Sequence, residues 1–147
     1  MAAMLSRRAL ASALALICAA ALSGCARDPA PAVDYVLLNG QKASSQQWAG
    51  KVMLVNFWAT SCATCVKEMP QIVATHDKYK ARGLDTVAVA MSYDPPAFVA
   101  RFAETRKLPF GVAIDNTGSV ANAFGSVQMT PTTFLINKRG ELVKRYV

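Results

Sequence analysis

Phe57-Trp58-Ala59-Thr60-Ser61-Cys62-Ala63-Thr64-Cys65 is the stretch on which the reading of this chain turns. Before it stands the apolar run Val52-Met53-Leu54-Val55; after it, Val66, Met69, Ile72 and Val73 recur at helical spacing. The pattern predicts a C-x-x-C at a strand-to-helix junction, with Cys62 beside the free N–H groups and positive dipole end of the helix. That field favours a thiolate, the form of cysteine that attacks disulfides. Cys65, one turn further in, is close enough to close a disulfide with Cys62.

Outward from this junction the chain alternates strands and helices. Residues 35–38 read as a strand entering a tight turn at Asn39-Gly40. Residues 44–48 read as a short helical turn, and Gly50-Lys51 reverses the chain into a central strand over 52–57. The helix from Cys62 is expected to reach about residue 81, with Gly83 as its stop and a kink at Pro70. A second apolar strand covers 84–91, of the kind buried in parallel sheets. Asp94-Pro95-Pro96 reads as a helix start with Asp94 as N-cap, and Phe98, Val99 and Phe102 as that helix's core face. Strand 109–114, a short helix over 117–124 stopped by Gly125, and a hairpin of 132–136 with 142–147 around Lys138-Arg139-Gly140 complete the pattern. This implies an α/β domain with a mixed sheet.

Composition sets bounds on function. The 147 residues are one domain's worth, and 53% hydrophobic with 17% charged residues argues for a packed core. The formal charge is +7; without Arg7 and Arg8, 14 basic and 9 acidic residues leave +5. No Arg/Lys cluster is interleaved with aromatics, so the surface is mildly basic and nucleic acid is not an expected partner. Arg7-Arg8 precede an apolar run over 9–22, shorter than the ~20 residues of a membrane-spanning helix. A charged start, a short apolar stretch and small residues describe a secretory signal over 1–24. Its end, Leu22-Ser23-Gly24-Cys25, resembles the bacterial lipobox, which implies cleavage before Cys25, acylation of that cysteine and anchoring to a membrane on the periplasmic or extracytoplasmic side. Residues 25–32, with Pro29 and Pro31, then read as a tether, and 33–147 as the domain. Cys18 leaves with the leader and Cys25 takes the lipid. The lone remaining pair in an exported domain, Cys62 and Cys65, is a reactive pair by expectation and not a staple.

Gly50-Lys51-Val52-Met53-Leu54-Val55-Asn56-Phe57-Trp58-Ala59-Thr60 before the C-x-x-C, Pro70 five residues after Cys65, and the distant Met129-Thr130-Pro131-Thr132-Thr133-Phe134-Leu135-Ile136-Asn137 together resemble the TlpA/ResA-like branch of the thioredoxin superfamily. The resemblance covers 48–147. It implies a thioredoxin-like fold, a mixed β-sheet with helices on both faces, and a C-terminal helix beyond Val147, so that this sequence would be truncated. It implies that Cys62 is the exposed nucleophile, Cys65 the buried resolving thiol, and Thr130-Pro131 a cis bond whose Thr130 backbone meets the partner chain. Trp58 is expected as a wall near the sulfurs that contributes to substrate binding. Glu68, three residues after Cys65, matches the branch's active-site glutamate. A partly buried carboxylate there would accept the Cys65 proton, because Asn56 stands where thioredoxin proper has a buried aspartate.

Ser61 and Thr64 depart from the residues that often precede the two cysteines, and the Ala63-Thr64 dipeptide between the sulfurs helps set the redox poise. The expected activity is reduction of protein disulfides such as those of apocytochrome c or copper-site proteins, with a membrane thiol reductase as electron donor and no cofactor. Disulfide oxidation, copper chaperoning through the two thiols, and thiol peroxidase chemistry are the alternatives. His76, the single histidine, reads as a helix-face residue. No metal site is expected, since zinc would need about four ligands.

Overall fold

The computed structural model describes residues 27–147, so the expected leader and Cys25 lie outside the described residues. β1 (Asp34–Val36) and β2 (Lys42–Ser44) pair as an antiparallel hairpin, followed by a 3-10 turn over Ser45–Trp48. Then come β3 (Val52–Trp58), α1 (Ala63–Tyr79), β4 (Leu84–Ala90), α2 (Pro96–Thr105), β5 (Gly111–Ile114), α3 (Ser119–Ala123), β6 (Thr132–Ile136) and β7 (Leu142–Tyr146). The main sheet has the order β5-β4-β3-β6-β7. β3, β4 and β5 run parallel, while β6 and β7 are antiparallel additions. Parallel neighbours need a long crossover, and α1 supplies it between β3 and β4. This is the mixed α/β sheet, helices on both faces, that the resemblance implied.

Alternate residues of the two central strands feed two separate cores. On one face Met53, Val55 and Phe57 of β3 meet Val87 and Val89 of β4, Phe134 and Ile136 of β6, and Val120, Ala121 and Phe124 from in and around α3. Aromatic rings dominate this layer: Phe57 lies 5.4 Å from Phe124 and 5.9 Å from Phe134, and the latter two are 4.9 Å apart. Each fully buried phenylalanine of this kind contributes roughly 1.5–3 kcal/mol. On the other face Trp58, Ala88 and Ala90 pack under Cys65 and Met69 of α1 and Val99 of α2. The small alanines of β4 let the two helices approach the sheet closely, which places the cysteine-bearing end of α1 directly over the end of β3.

The helix after Cys62 ends at Gly83 as expected, while packing corrects the expectations for Asp94, Phe98 and residues 28–30. α1 begins at Ala63 with Cys62 as its N-cap, runs through Pro70, and tightens into a 3-10 turn over Lys80–Arg82 before Gly83. Gly83 has φ +91°, the left-handed conformation that glycine adopts without steric cost. Asp94 does not cap α2: Pro95 is the N-cap residue, with no side-chain hydrogen bond. Phe98 is 62% exposed, so the core face of α2 is carried by buried Val99 and half-buried Phe102 and Ala103. Within the stretch read as a tether, Asp28 C=O accepts Leu142 N–H at 2.8 Å and Ala30 N–H donates to Gly140 C=O at 2.8 Å. Residues 28–30 thus lie along the β6–β7 hairpin and are not a free tether.

Candidate active site

The site grows from the end of β3. After Trp58 the chain passes through buried Ala59 into a turn closed by Cys62 N–H donating to Ala59 C=O at 3.1 Å. Cys62, with φ −88° and ψ 102°, is extended, and its carbonyl accepts the first helical bond from Val66 N–H at 3.0 Å. Its sulfur receives the N–H of Cys65 at 3.1 Å. One otherwise unpaired helix-end donor therefore points at the nucleophile, as the strand-to-helix reading required. Cys62 and Cys65 are joined as a disulfide with Cα atoms 5.2 Å apart. Cys62 is half-buried, whereas Cys65 is 2% exposed. A partner can reach the first sulfur and not the second.

Across from the sulfurs stands the loop before β6. The Thr130-Pro131 bond is cis. The Thr130 carbonyl oxygen lies 3.5 Å from Cys62 Sγ, so a polypeptide seated on that backbone would pass beside the nucleophile. Thr132 is fully buried and donates its hydroxyl to Met129 C=O at 2.7 Å, pinning the loop at its far end.

The remaining expected site residues separate. Trp58 is fully buried, with its ring tilted 49° against Phe102 at 4.9 Å, so it forms a floor within the core layer behind the sulfurs and offers no surface for a substrate. Glu68 lies on α1, exposed and not partly buried as expected. Asn56 is 1% exposed and donates Nδ2–H to Thr133 Oγ1 at 2.9 Å. His76 is buried and pairs with Thr86 Oγ1 at 3.1 Å, with Phe110 edge-on at 5.4 Å; it serves the layer between α1 and β4.

Two residues that sequence reasoning did not assign to the site belong to it. Tyr93, 57% exposed, sets its hydroxyl 3.4 Å from Thr130 Oγ1, and Met129, 61% exposed, precedes Thr130 in the same loop. Met129 heads the motif that carries Thr130 and Pro131, whereas nothing local marks Tyr93, because only the sheet order β4-β3-β6 brings its loop to theirs. Asp94 also turns toward this loop cluster, where its carboxylate binds Thr60.

The sequence and the fold are similar to those of known proteins. The Redoxin family model matches residues 26–147. The chain is 37% identical over 121 residues to the thiol-disulfide oxidoreductase ResA of Halalkalibacterium halodurans, covering 81% of this chain and 68% of that protein. It is 39% identical over 113 residues to the ResA of Geobacillus kaustophilus, covering 76% and 64% respectively. Thus the chain spans about two thirds of the length of these curated relatives. The crystal structure of a thiol:disulfide interchange protein of the thioredoxin family from Chlorobium tepidum superposes with a TM-score of 0.78 at 28% identity, covering 85% of this chain and 88% of that one. An accessible sulfur at a helix N-terminus, a buried partner sulfur and a facing cis-proline loop, carried on a sheet of this order, agree with those similarities: the chain belongs to the Redoxin family, among its ResA-like thiol–disulfide oxidoreductases.

Proposed function

We propose that the protein is an extracytoplasmic, lipid-anchored thiol–disulfide oxidoreductase that reduces disulfides in other proteins. The observation that carries the chemistry is the asymmetry of the pair: Cys62 half-buried and 3.5 Å from the Thr130 carbonyl oxygen, Cys65 sealed beneath it. In the reduced protein the Cys62 thiolate attacks one sulfur of a substrate disulfide. A mixed disulfide forms, and the other substrate sulfur leaves as a thiolate and takes a proton. Cys65 then gives up its proton, and its thiolate attacks Cys62 Sγ. The second substrate sulfur is released, and two electrons have passed from protein to substrate. Glu68, one helical turn from Cys65, is the proposed acceptor of the Cys65 proton, and its exposure lets water share that role.

The reducing direction and the substrates, apocytochrome c or copper-site cysteines, are carried over from the resemblance, and a membrane dithiol reductase would return the electrons. Membrane attachment rests on Leu22-Ser23-Gly24-Cys25 and the apolar run before it. The test is insulin-disulfide reduction with a measured potential, paired with trapping by Cys65→Ala. That variant cannot resolve the intermediate and should retain a protein partner covalently on Cys62. A potential near the ~−120 mV of strong oxidants would reverse the direction, and no trapped species in an oxidising extract would sink the exchange mechanism.

A further inference from the structure

Two carboxylates are deeply buried among the described residues, Asp94 at 2% exposure and Asp115 at 4%. Asp115 has an ordinary structural task. Its oxygens accept the N–H groups of Val120 at 3.2 Å and Ala121 at 2.8 Å, satisfying the start of α3. Asp94 sits just before a helix as well, yet caps nothing there. Both of its oxygens turn to one residue: Thr60 N–H donates to Oδ2 at 2.6 Å and the Thr60 hydroxyl to Oδ1 at 2.5 Å. Two accepting oxygens are what an ionised carboxylate presents. Among the described residues Asp94 has no ion-pair partner.

Thr60 lies two residues before Cys62, so their Cα atoms are at most about 7.6 Å apart. Both partners follow the ends of adjacent parallel strands, tied together by Met91 N–H donating to Trp58 C=O at 3.0 Å. The carboxylate is thus held rigidly against the turn that presents the nucleophile. The other ionisable groups on the segments packed there are Lys67 and Glu68 on α1, Tyr93, Arg101 and Glu104 on α2 and Arg106 just after it, all exposed, and the buried Asp115 after β5, whose oxygens are turned to the α3 N–H groups. The loop over 125–131 carries none. Asp94 is therefore the buried charge bonded directly to the turn before Cys62, with little water to screen it.

We infer that Asp94 is a positioning residue for disulfide exchange: it holds the turn into Cys62, and its charge opposes the helix-end field there, leaving the thiol less ionised than that field alone would. A less stabilised thiolate makes the reduced pair a stronger reductant. The inference rests on the dithiol reading of the site and not on any particular substrate.

The test is alkylation of Cys62 by iodoacetamide in the reduced full-length chain across a pH series, where the burial of Cys65 makes the reagent report on Cys62. Asp94→Asn can keep both contacts to Thr60 while removing the charge. At about pH 6 it should alkylate roughly three- to tenfold faster than the unmodified chain, with the couple shifted to a more oxidising potential. Thr60→Val keeps the carboxylate and the backbone bond, and should show no such acceleration. Should Asp94→Asn not fold, Asp94→Ser carries the same expectation. Profiles that superimpose on the unmodified chain would overturn the inference, and so would equal acceleration in Thr60→Val, which would assign the effect to a loosened turn. Alkylation does not depend on insulin reduction, so failure of this idea and failure of the proposed activity are separately visible.

Discussion

The two faces of β3 come from alternate residues of one seven-residue strand, and they are built to different standards. Met53, Val55 and Phe57 enter a layer of apolar side chains with three phenylalanines in mutual contact and no polar atom left over. Leu54, Asn56 and Trp58 face α1 and the sulfurs, and there Asn56 Oδ1 and Trp58 Nε1 are buried without a hydrogen-bond partner. An unpaired buried polar atom costs about 1–3 kcal/mol. The face that carries the chemistry is thus the less fully satisfied one, and the opposite face holds the strand in place. Local rules are broken where function is, and the rest of the domain compensates.

Truncating the aromatic face is the strongest way to break this comparison. Phe57→Ala should cost about 3–5 kcal/mol in urea unfolding, while Cys62 in the remaining folded protein alkylates at its original rate. A loss under about 1 kcal/mol would mean that the aromatic layer is not what holds β3 in place. On the sulfur face, Glu68→Gln should leave stability nearly unchanged and slow resolution of a preformed mixed disulfide. Because solvent reaches Glu68, the slowing should fall below the ~100-fold that marks the lower end for a positioned base. Single-turnover rates equal to those of the parent would remove Glu68 from the mechanism.

The smallest effect belongs to neither face. The Arg139 guanidinium, with Asn137, holds the Glu141 carboxyl below its usual range, and Lys80 does the same to Asp77. A carboxyl depressed on folding adds stability that is present above its unfolded value and lost as pH falls through the folded one. Asp77 is exposed, and Glu141, though half-buried, pairs with an exposed Arg139, so water screens both pairs and the gain is slight. Arg139→Gln should therefore lower stability slightly at neutral pH, leave it unchanged below the folded pKa of Glu141, and so flatten the acid limb a little. A marked loss at neutral pH would show that the hairpin contributes more than its surface charges suggest.

Much of the fold was legible because it is written in local pattern. The apolar runs at β3 and β4, the helical spacing after Cys65 and the turn signals Asn39-Gly40 and Lys138-Arg139-Gly140 each produced the element expected of them. Asp94 and Phe98 depart from their sequence pattern for a common reason. Asp-Pro-Pro is a genuine helix-start signal, and Phe98 sits at core spacing with Phe102, but both depend on which neighbour the segment meets. Asp94 met Thr60 instead of the free N–H groups of α2, and Phe98 met water. Trp58 was placed correctly near the sulfurs, but its role was not, since depth below the surface is a property of the assembled layers.

By itself the sequence settled which atoms could react and on what scaffold. A C-x-x-C at a strand-to-helix boundary and a distant Thr-Pro are chemical facts of order and spacing. The tertiary structure alone decided which sulfur is reachable, that Thr130 comes within 3.5 Å of it, and that a buried aspartate stands behind the nucleophile's turn. Those facts arise where β3, β4 and β6 lie side by side, which joins Cys62 to Thr130 across 68 positions, and no local pattern carries interactions over that separation.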